Sequence, residues 1–192
     1  HLHPSAEAKG SVYLDDINLN NMSNDSQYLV SFDNDKATLK KNTATITGTR
    51  LSDEITVNGE DFESEDEDIS YKVAINAGEG NNKITLNSAL NTNTITAGSG
   101  ADKIHLSDTS EGYDVVKRKS VARVTTVKAG NGANEIYVDG SGNNSIITGS
   151  GDDKFYFGDT SESNATTTIK AGKGTNTIYI NNNDFGTVTL AE

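Results

Sequence analysis

One short glycine-rich motif recurs along this 192-residue chain and constrains its fold more than any other feature. Each copy has glycine at its second and fourth places, Asp or Asn at its sixth and an apolar residue at its eighth. The five clear copies are Ala77–Thr85, Ala97–His105, Ala129–Tyr137, Thr148–Tyr156 and Ala171–Tyr179. The shortest interval between their starts is about 20 residues, and repetition at such a period predicts a solenoid.

The residues around each motif alternate between apolar and polar, which predicts strands with one buried face. Following the motif, the pairs expected to point inward are Ile55/Val57, Ile84/Leu86, Ile104/Leu106, Ile136/Val138, Phe155/Phe157 and Ile178/Ile180. The residues expected to point outward between them are Thr56, Thr85, His105, Tyr137, Tyr156 and Tyr179. A second apolar column precedes the motifs at Ile46, Ile75, Ile95, Val127, Ile146 and Ile169. One turn of the chain is therefore strand, glycine turn, strand and second turn, with little or no helix.

The rest of the chain divides around this repeat. Residues 1–10 are expected to be an expression remnant outside the fold, and 11–43 to form strands that cap the first rung. Residues 44–192 are the predicted solenoid, beginning with a degenerate copy of the motif at Gly48–Thr56. The longer intervals predict loops inserted at roughly 107–124 and 158–166, on one surface of the coil.

Two charged stretches lie within insertions. The acidic run 60–68 is interpreted as a solvated loop, with a divalent-cation site as the sharper alternative. The basic triplet Lys117–Lys119 is interpreted as a hairpin tip between arms at 114–116 and 121–124, with an anionic partner as the alternative.

Composition narrows the functional classes. Only 33% of the residues are hydrophobic, which suits a core one side chain deep between two facing sheets. The net charge of −12 argues against nucleic acid and anionic membranes as partners and is compatible with bound cations. No apolar run approaches the roughly 20 residues of a membrane span. Because the chain has no Cys, a metal is the obvious alternative to disulfides as a staple.

The motif resembles the glycine-rich nonapeptide of the RTX, or hemolysin-type calcium-binding, repeat family, whose form is Gly-Gly-x-Gly-x-Asp-x-apolar-x. The resemblance covers about residues 44–190. It implies an all-β, right-handed parallel β-roll, here of about six to seven rungs, with Ca²⁺ held in the turns. It also implies a bacterial protein that is secreted, commonly by a one-step type I pathway, and that folds when it meets external calcium.

By this resemblance the sixth-place residues are the side-chain ligands of Ca²⁺, and Asp152 is a further candidate beside Asp153. The sixth-place residues are Asp53, Asn82, Asp102, Asn134, Asp153 and Asn176. Two departures lower the expected number and affinity of sites. The first glycine is Ala or Thr in all five clear copies, and Asp alternates with Asn, which reduces the ligand charge between adjacent rungs. The alternative interpretation of this column is a metal-free ladder of hydrogen-bonded Asp and Asn side chains.

The resemblance implies a calcium-binding structural or adhesive module of a secreted or cell-surface bacterial protein, such as an adhesin, a toxin repeat region or a surface-layer protein. No catalytic residues are predicted, because the basic residues are scattered and His105 fits the outward column. The alternative is a metal-free β-helix that binds glycans or acts like a polysaccharide lyase. An ice-binding face is disfavoured, since the third-place residues do not form a threonine row.

The tyrosine stripe Tyr137, Tyr156 and Tyr179 has two interpretations. Stacked rings stabilise a parallel ladder through cross-strand packing. The same row is also a candidate face for a glycan or protein partner, and the sheet edges are candidates for self-association.

Overall fold

The computed structural model describes residues 11–13, 28–31, 36–40, 43–58, 72–87, 92–107, 112–114, 119–121, 124–139, 142–158, 166–181 and 187–191. Within these ranges the regular structure is all β-strand, without helix. The strands are β1 (Ser11–Tyr13), β2 (Tyr28–Ser31), β3 (Lys36–Lys40), β4 (Thr43–Thr47), β5 (Glu54–Asn58), β6 (Lys72–Asn76), β7 (Lys83–Asn87), β8 (Thr92–Thr96), β9 (Lys103–Ser107), β10 (Gly112–Asp114), β11 (Lys119–Val121), β12 (Val124–Gly130), β13 (Glu135–Asp139), β14 (Asn143–Thr148), β15 (Lys154–Phe157), β16 (Thr166–Lys170), β17 (Thr177–Ile180) and β18 (Thr187–Leu190).

From β4 onward the chain winds between two parallel sheets. The first sheet has the order β1-β5-β7-β9-β13-β15-β17, and the second runs β18-β16-β14-β12-β8-β6-β4-β3-β2. Equivalent residues of successive rungs are in register, so that Ile84 pairs with Ile104 and Tyr137 with Tyr156. The chain therefore forms a parallel β-roll, as the repeat predicts.

The core is a single layer of side chains from both sheets. The second apolar column and the first five predicted inward pairs are buried, and Phe155 is the largest of the enclosed side chains. The first-place residues Ala77, Ala97 and Ala129 are also fully buried, so Ala in place of the family's glycine adds a methyl group to the core.

The sequence prediction of a buried pair is wrong for the last one, Ile178/Ile180. Ile178 is only partly buried, and Ile180 is 55% exposed. Both lie on β17, which is the edge strand of the first sheet. A side chain that points inward at the end of a stack lacks the neighbouring rung that would cover it.

The N-terminal strands extend both sheets. β1 pairs with β5 in parallel, whereas β2, β3 and β4 pair in antiparallel order. These strands match the segments that the sequence predicts within 11–43. The division into remnant, cap and roll remains a prediction, and residues 1–10 and the acidic run 60–68 lie outside the described residues.

The predicted hairpin in the 107–124 insertion is present, with shifted arms. β10 and β11 pair antiparallel, with Tyr113 opposite Ser120 and Asp114 opposite Lys119. Lys119 therefore belongs to an arm. Residues 115–118, which include the rest of the basic triplet, lie outside the described part of the chain, as do 159–165 of the second predicted insertion.

Candidate functional site: the glycine corners

Six turns, which we call corners and name by their sixth-place residue, form one edge of the roll. They span 48–53, 77–82, 97–102, 129–134, 148–153 and 171–176, and we call this edge the glycine edge. The spacing of the corners depends on glycine. At Gly98 φ is +93°, and at Gly130 it is +77°. A Cβ on Gly98 would overlap the carbonyl oxygen of Gly78, and a Cβ on Gly130 would overlap that of Gly98. Only glycine lets corner backbones stack this closely.

The sixth-place side chains form a buried column along the glycine edge. All are buried except Asn176, which is partly exposed. From Asn82 onward, one side-chain oxygen of each accepts a hydrogen bond from the backbone N–H of the sixth-place residue one rung earlier. The pairs are Asn82 to Asp53 (3.0 Å), Asp102 to Asn82 (2.8 Å), Asn134 to Asp102 (3.1 Å), Asp153 to Asn134 (3.0 Å) and Asn176 to Asp153 (3.0 Å). From Asn82 onward this ladder occupies one oxygen per side chain and leaves the second branch atom of each for other contacts.

At the Asn corners the second branch is an NH₂ group that donates to carbonyl oxygens. Asn82 Nδ2 lies 3.2 Å from Gly80 O and 3.0 Å from Ala97 O. Asn134 Nδ2 lies 3.0 Å from Gly132 O. Asn176 Nδ2 lies 3.1 Å from Gly172 O. The protein's own amides therefore satisfy turn carbonyls in these three corners, and the amide of Asn82 also satisfies the Ala97 carbonyl of the Asp102 corner.

Asn134 also reaches the next rung. Its Nδ2 lies 2.9 Å from Asp153 Oδ1, the same oxygen that accepts the Asn134 backbone N–H. One carboxylate oxygen of Asp153 therefore has two donors.

The Asp53 corner is satisfied in a different way. Asp53 Oδ2 accepts the backbone N–H of Thr49 at 2.7 Å, and Oδ1 accepts the Thr49 hydroxyl at 2.9 Å. Both carboxylate oxygens therefore have donors within their own turn. This corner also carries Leu51 where the clear copies have their second glycine.

Asp102 and Asp153 are different from the other four. They are 1% and 0% exposed, and the Oδ2 atom of each is buried with no hydrogen-bond partner in the described part of the chain. A buried acceptor without a donor costs about 1–3 kcal/mol, and a charged one costs more. Burial raises the pKa of Asp102 to about 6, against the opposing effect of hydrogen bonds from Asn82.

Asp152 lies beside this column and not in it. Its side chain is exposed, and its Oδ1 accepts the backbone N–H of Thr175 at 2.7 Å. Asn81 makes the same contact with the N–H of Ala101 at 2.8 Å. Asp152 thus belongs to an outer row of fifth-place residues that cap the backbone of the next corner.

The oxygens at the Asp102 and Asp153 corners suit a hard cation. Calcium accepts carboxylate and backbone carbonyl oxygens in irregular geometry. No group of three or more His, Asp or Glu side chains that could hold a metal is present in the described ranges. A calcium ion at either corner would therefore be held by one or two side chains together with turn carbonyls, and the unpartnered Oδ2 atoms fit that role.

The opposite edge has a polar column that the sequence analysis missed. Asn93, Thr125, Asn144 and Thr167 are in register and buried. Asn93 Nδ2 lies 3.3 Å from Thr125 Oγ1, and Asn144 Nδ2 lies 3.3 Å from Thr167 Oγ1. Each residue lies two places before an apolar residue of the second column, which is the spacing of sixth and eighth places. That spacing is the sequence signal that could have identified the buried polar column.

The tyrosine stripe is a stack of rings on the outer face of the first sheet. Tyr137 and Tyr156 have centroids 4.5 Å apart, Tyr156 and Tyr179 4.7 Å, and each pair is inclined by 7°. Lys103 Nζ lies 4.8 Å from the Tyr137 centroid. His105 continues the stripe and pairs with Asp139, Nε2 to Oδ2, at 2.6 Å. Both faces of the Tyr156 ring are thus covered by its neighbours.

Comparison with known proteins identifies the repeat. Residues 91–108 and 129–160 match the family model of the RTX calcium-binding nonapeptide repeat, in four copies. These two stretches therefore carry RTX calcium-binding repeats on a β-roll, and both Asp102 and Asp153 lie within them. Neither the curated proteins nor the solved structures give a match. No helix in the described ranges is long and apolar enough to cross a membrane.

Proposed function

We propose that this chain is a calcium-dependent structural module of a secreted or cell-surface bacterial protein, of the adhesin, toxin or surface-layer kind. Calcium binds at the Asp102 and Asp153 corners and stabilises the roll once the chain is outside the cell. The observation that carries the proposal is the pair of buried, unpartnered Oδ2 atoms within matched calcium-binding repeats.

Linkage between binding and folding supplies the mechanism. The folded roll brings each buried carboxylate next to the carbonyls of a tight glycine turn, whereas the unfolded chain holds them apart. A ligand that binds only the folded state stabilises it in proportion to the logarithm of its concentration. The net charge of −12 acts in the same direction, because added cations reduce repulsion within the compact chain.

Each bound ion would be held at one corner, that of Asp102 or that of Asp153, and the neighbouring sixth-place residues would support it indirectly. When bound, Ca²⁺ supplies the positive charge that a buried carboxylate otherwise lacks. Asn82 and Asn134 position Asp102 and Asp153, since their backbone N–H groups hold the Oδ1 atoms at 2.8 and 3.0 Å. The affinity expected for one carboxylate per corner is in the range of extracellular modules, about 10⁻⁴–10⁻³ M.

The ring stacking favours a stabilising role for the tyrosine stripe over a sugar-binding one. A sugar stacks on an aromatic face, but the faces of Tyr156 are covered by Tyr137 and Tyr179. The outer face of Tyr179 and the ring edges remain as candidate contacts for a partner.

The proposal is tested by thermal unfolding of the whole chain, followed by circular dichroism, in millimolar calcium and in a calcium chelator. The melting temperature is expected to rise with calcium and to return when chelator is added. Magnesium at equal ionic strength is the control for simple charge screening. Equal melting temperatures in calcium and in chelator would contradict the proposal.

A further inference from the structure

We propose that asparagine amides occupy the positions of the cation at alternate corners, so that this chain binds calcium only where the sixth-place residue is Asp102 or Asp153. The inference rests on the proposed function and deepens it: it assigns two ions to six corners and explains why the remaining corners need none.

The argument starts from the shared geometry of the column. In every rung after the first, one side-chain oxygen accepts the same backbone N–H of the preceding rung. Because Asp and Asn have the same shape, their second branch atoms occupy equivalent places. In Asn82 that atom is a nitrogen donating to the carbonyls of Gly80 and Ala97. In Asp102 it is an oxygen without a partner.

The chemistry of the two branch atoms is opposite. An NH₂ group brings two donors to a place lined by carbonyl oxygens, so every atom there has a partner. A carboxylate oxygen brings another acceptor, and acceptors facing one another need a cation or a proton between them. The amide nitrogen at an Asn corner therefore supplies the positive end of a dipole where an Asp corner requires an ion.

The remaining acidic corner, that of Asp53, needs no metal. Asp53 has Thr49 to donate to both of its oxygens. The Thr49 hydroxyl has no counterpart at the Asp102 and Asp153 corners, because Gly98 and Gly149 occupy the same second place of the motif. Calcium dependence is thus confined to two positions separated by one self-satisfied rung.

The test replaces Asp by Asn, or Asn by Asp, at the sixth place of the motif and compares these variants with a matched control variant. Ions bound per chain are counted by equilibrium dialysis with calcium, and melting temperatures are measured separately in chelator. The wild type is expected to bind two ions, Asp102→Asn one, and Asp102→Asn with Asp153→Asn none. Asp152→Asn removes the same charge from the neighbouring exposed position and is expected to keep both ions.

The measurement in chelator does not depend on calcium binding. There Asp102→Asn is expected to melt about 3–6 °C above the wild type, since an amide replaces an unpartnered buried carboxylate. Asn134→Asp is expected to melt below the wild type and to gain an ion in calcium. If Asn134→Asp does not fold in chelator, Asp102→Asn, which gains stability, still carries the test.

The outcomes separate this inference from the proposed function. If the wild type binds no calcium but Asp102→Asn melts higher in chelator, the calcium function fails and the amide substitution stands. If the wild type binds two ions but Asp102→Asn melts lower in chelator, the function stands and the inference is wrong. Binding of an ion at every corner, or loss of an ion in Asp152→Asn, also overturns the inference.

Discussion

The two edges of the roll have the same register and different chemistry. On the glycine edge the corner backbones are so close that the second and fourth places of the five clear copies require glycine, and the buried column includes three carboxylates. On the opposite edge the equivalent column contains only amides and hydroxyls, those of Asn93, Thr125, Asn144 and Thr167. The chain segment that includes the β10–β11 hairpin connects β9 of the first sheet to β12 of the second, which is the connection made at this edge.

This difference indicates how one repeat can give a neutral edge and a charged edge different roles. Neutral Asn and Thr side chains are linked by hydrogen bonds across rungs and carry no charge that requires an ion, so the turns beside them are free to vary in length. Carboxylates buried beside tightly stacked carbonyls have no such freedom, because a change in the spacing of the rungs would move every carbonyl and carboxylate oxygen of the corners. The same nonapeptide framework thus provides a permissive edge and a constrained one.

The largest effect is expected from a side chain placed in the constrained edge. Gly98→Ala puts a Cβ against the Gly78 carbonyl at a φ of +93°, and should cost about 3 kcal/mol or more of unfolding free energy. Gly158→Ala on the opposite edge meets only the flexible carboxylate of Asp139 and should cost well under half as much. Chemical denaturation of both variants measures the difference, and equal losses would break the comparison.

A smaller effect is expected from pH, in chelator. The folded-state pKa of Asp102 is raised from 3.8 to about 6, so the folded state holds the proton more tightly than the unfolded chain. Below pH 3.8 the Asp102 carboxyl group is protonated in both states and does not lower the free energy of unfolding. As the pH rises to about 6 its ionisation lowers that free energy increasingly, and above about 6 the loss is complete.

Comparison of the wild type with Asp102→Asn isolates the contribution of the Asp102 carboxyl group to stability. The stability of the wild type relative to Asp102→Asn should fall by on the order of 2–3 kcal/mol between pH 3.8 and pH 7. A difference that stays constant over this range in urea unfolding would show that Asp102 is not the group responsible.

A still smaller effect is expected from the opposite edge. Asn144 Oδ1 is buried without a partner in the described ranges, and Val188 ends the same column two rungs later. Asn144→Val should change the unfolding free energy by less than about 1.5 kcal/mol, since removal of the unpartnered acceptor offsets the hydrogen bonds lost to Gly142 O and Thr167 Oγ1. Calcium binding by the variant, measured by dialysis, should equal that of the wild type. A lost ion would place a calcium ligand on this edge.

The smallest effect is expected at the tyrosine stripe, away from both edges. Tyr156→Leu removes a ring stacked on two neighbours and should cost about 1 kcal/mol, whereas Tyr179→Leu removes a ring stacked on one and should cost about half of that. Thermal unfolding at a fixed calcium concentration measures both. Unchanged stability together with lost binding to a glycan array would instead favour the partner-face interpretation.

The fold was predictable because its pattern is local. Glycines at fixed places and apolar residues at a period of two define the turns and the inward faces without knowledge of distant contacts. Ile180 was placed inward and is exposed because sequence alternation does not show where a stack ends. Asn93 and Thr125 were missed because polar residues in a strand resemble an outward face unless their partners in adjacent rungs are known.

The candidate ligands were predictable as a column and not individually. The sequence shows Asp53, Asp102 and Asp153 as equivalent residues of the motif. Their difference depends on Thr49, whose hydroxyl and N–H reach Asp53. It also depends on inter-rung register, which decides which oxygen of Asp102 is used and which is free.

A crystal structure determined in millimolar calcium, with the anomalous signal of the ion, tests the central claim most directly. Two ions are expected, each beside the Oδ2 atom of Asp102 or Asp153, with the Asn82, Asn134 and Asn176 corners and the opposite edge free of metal. Corners of Asp102 and Asp153 that hold no ion in saturating calcium, or ions placed at the asparagine corners, would contradict it.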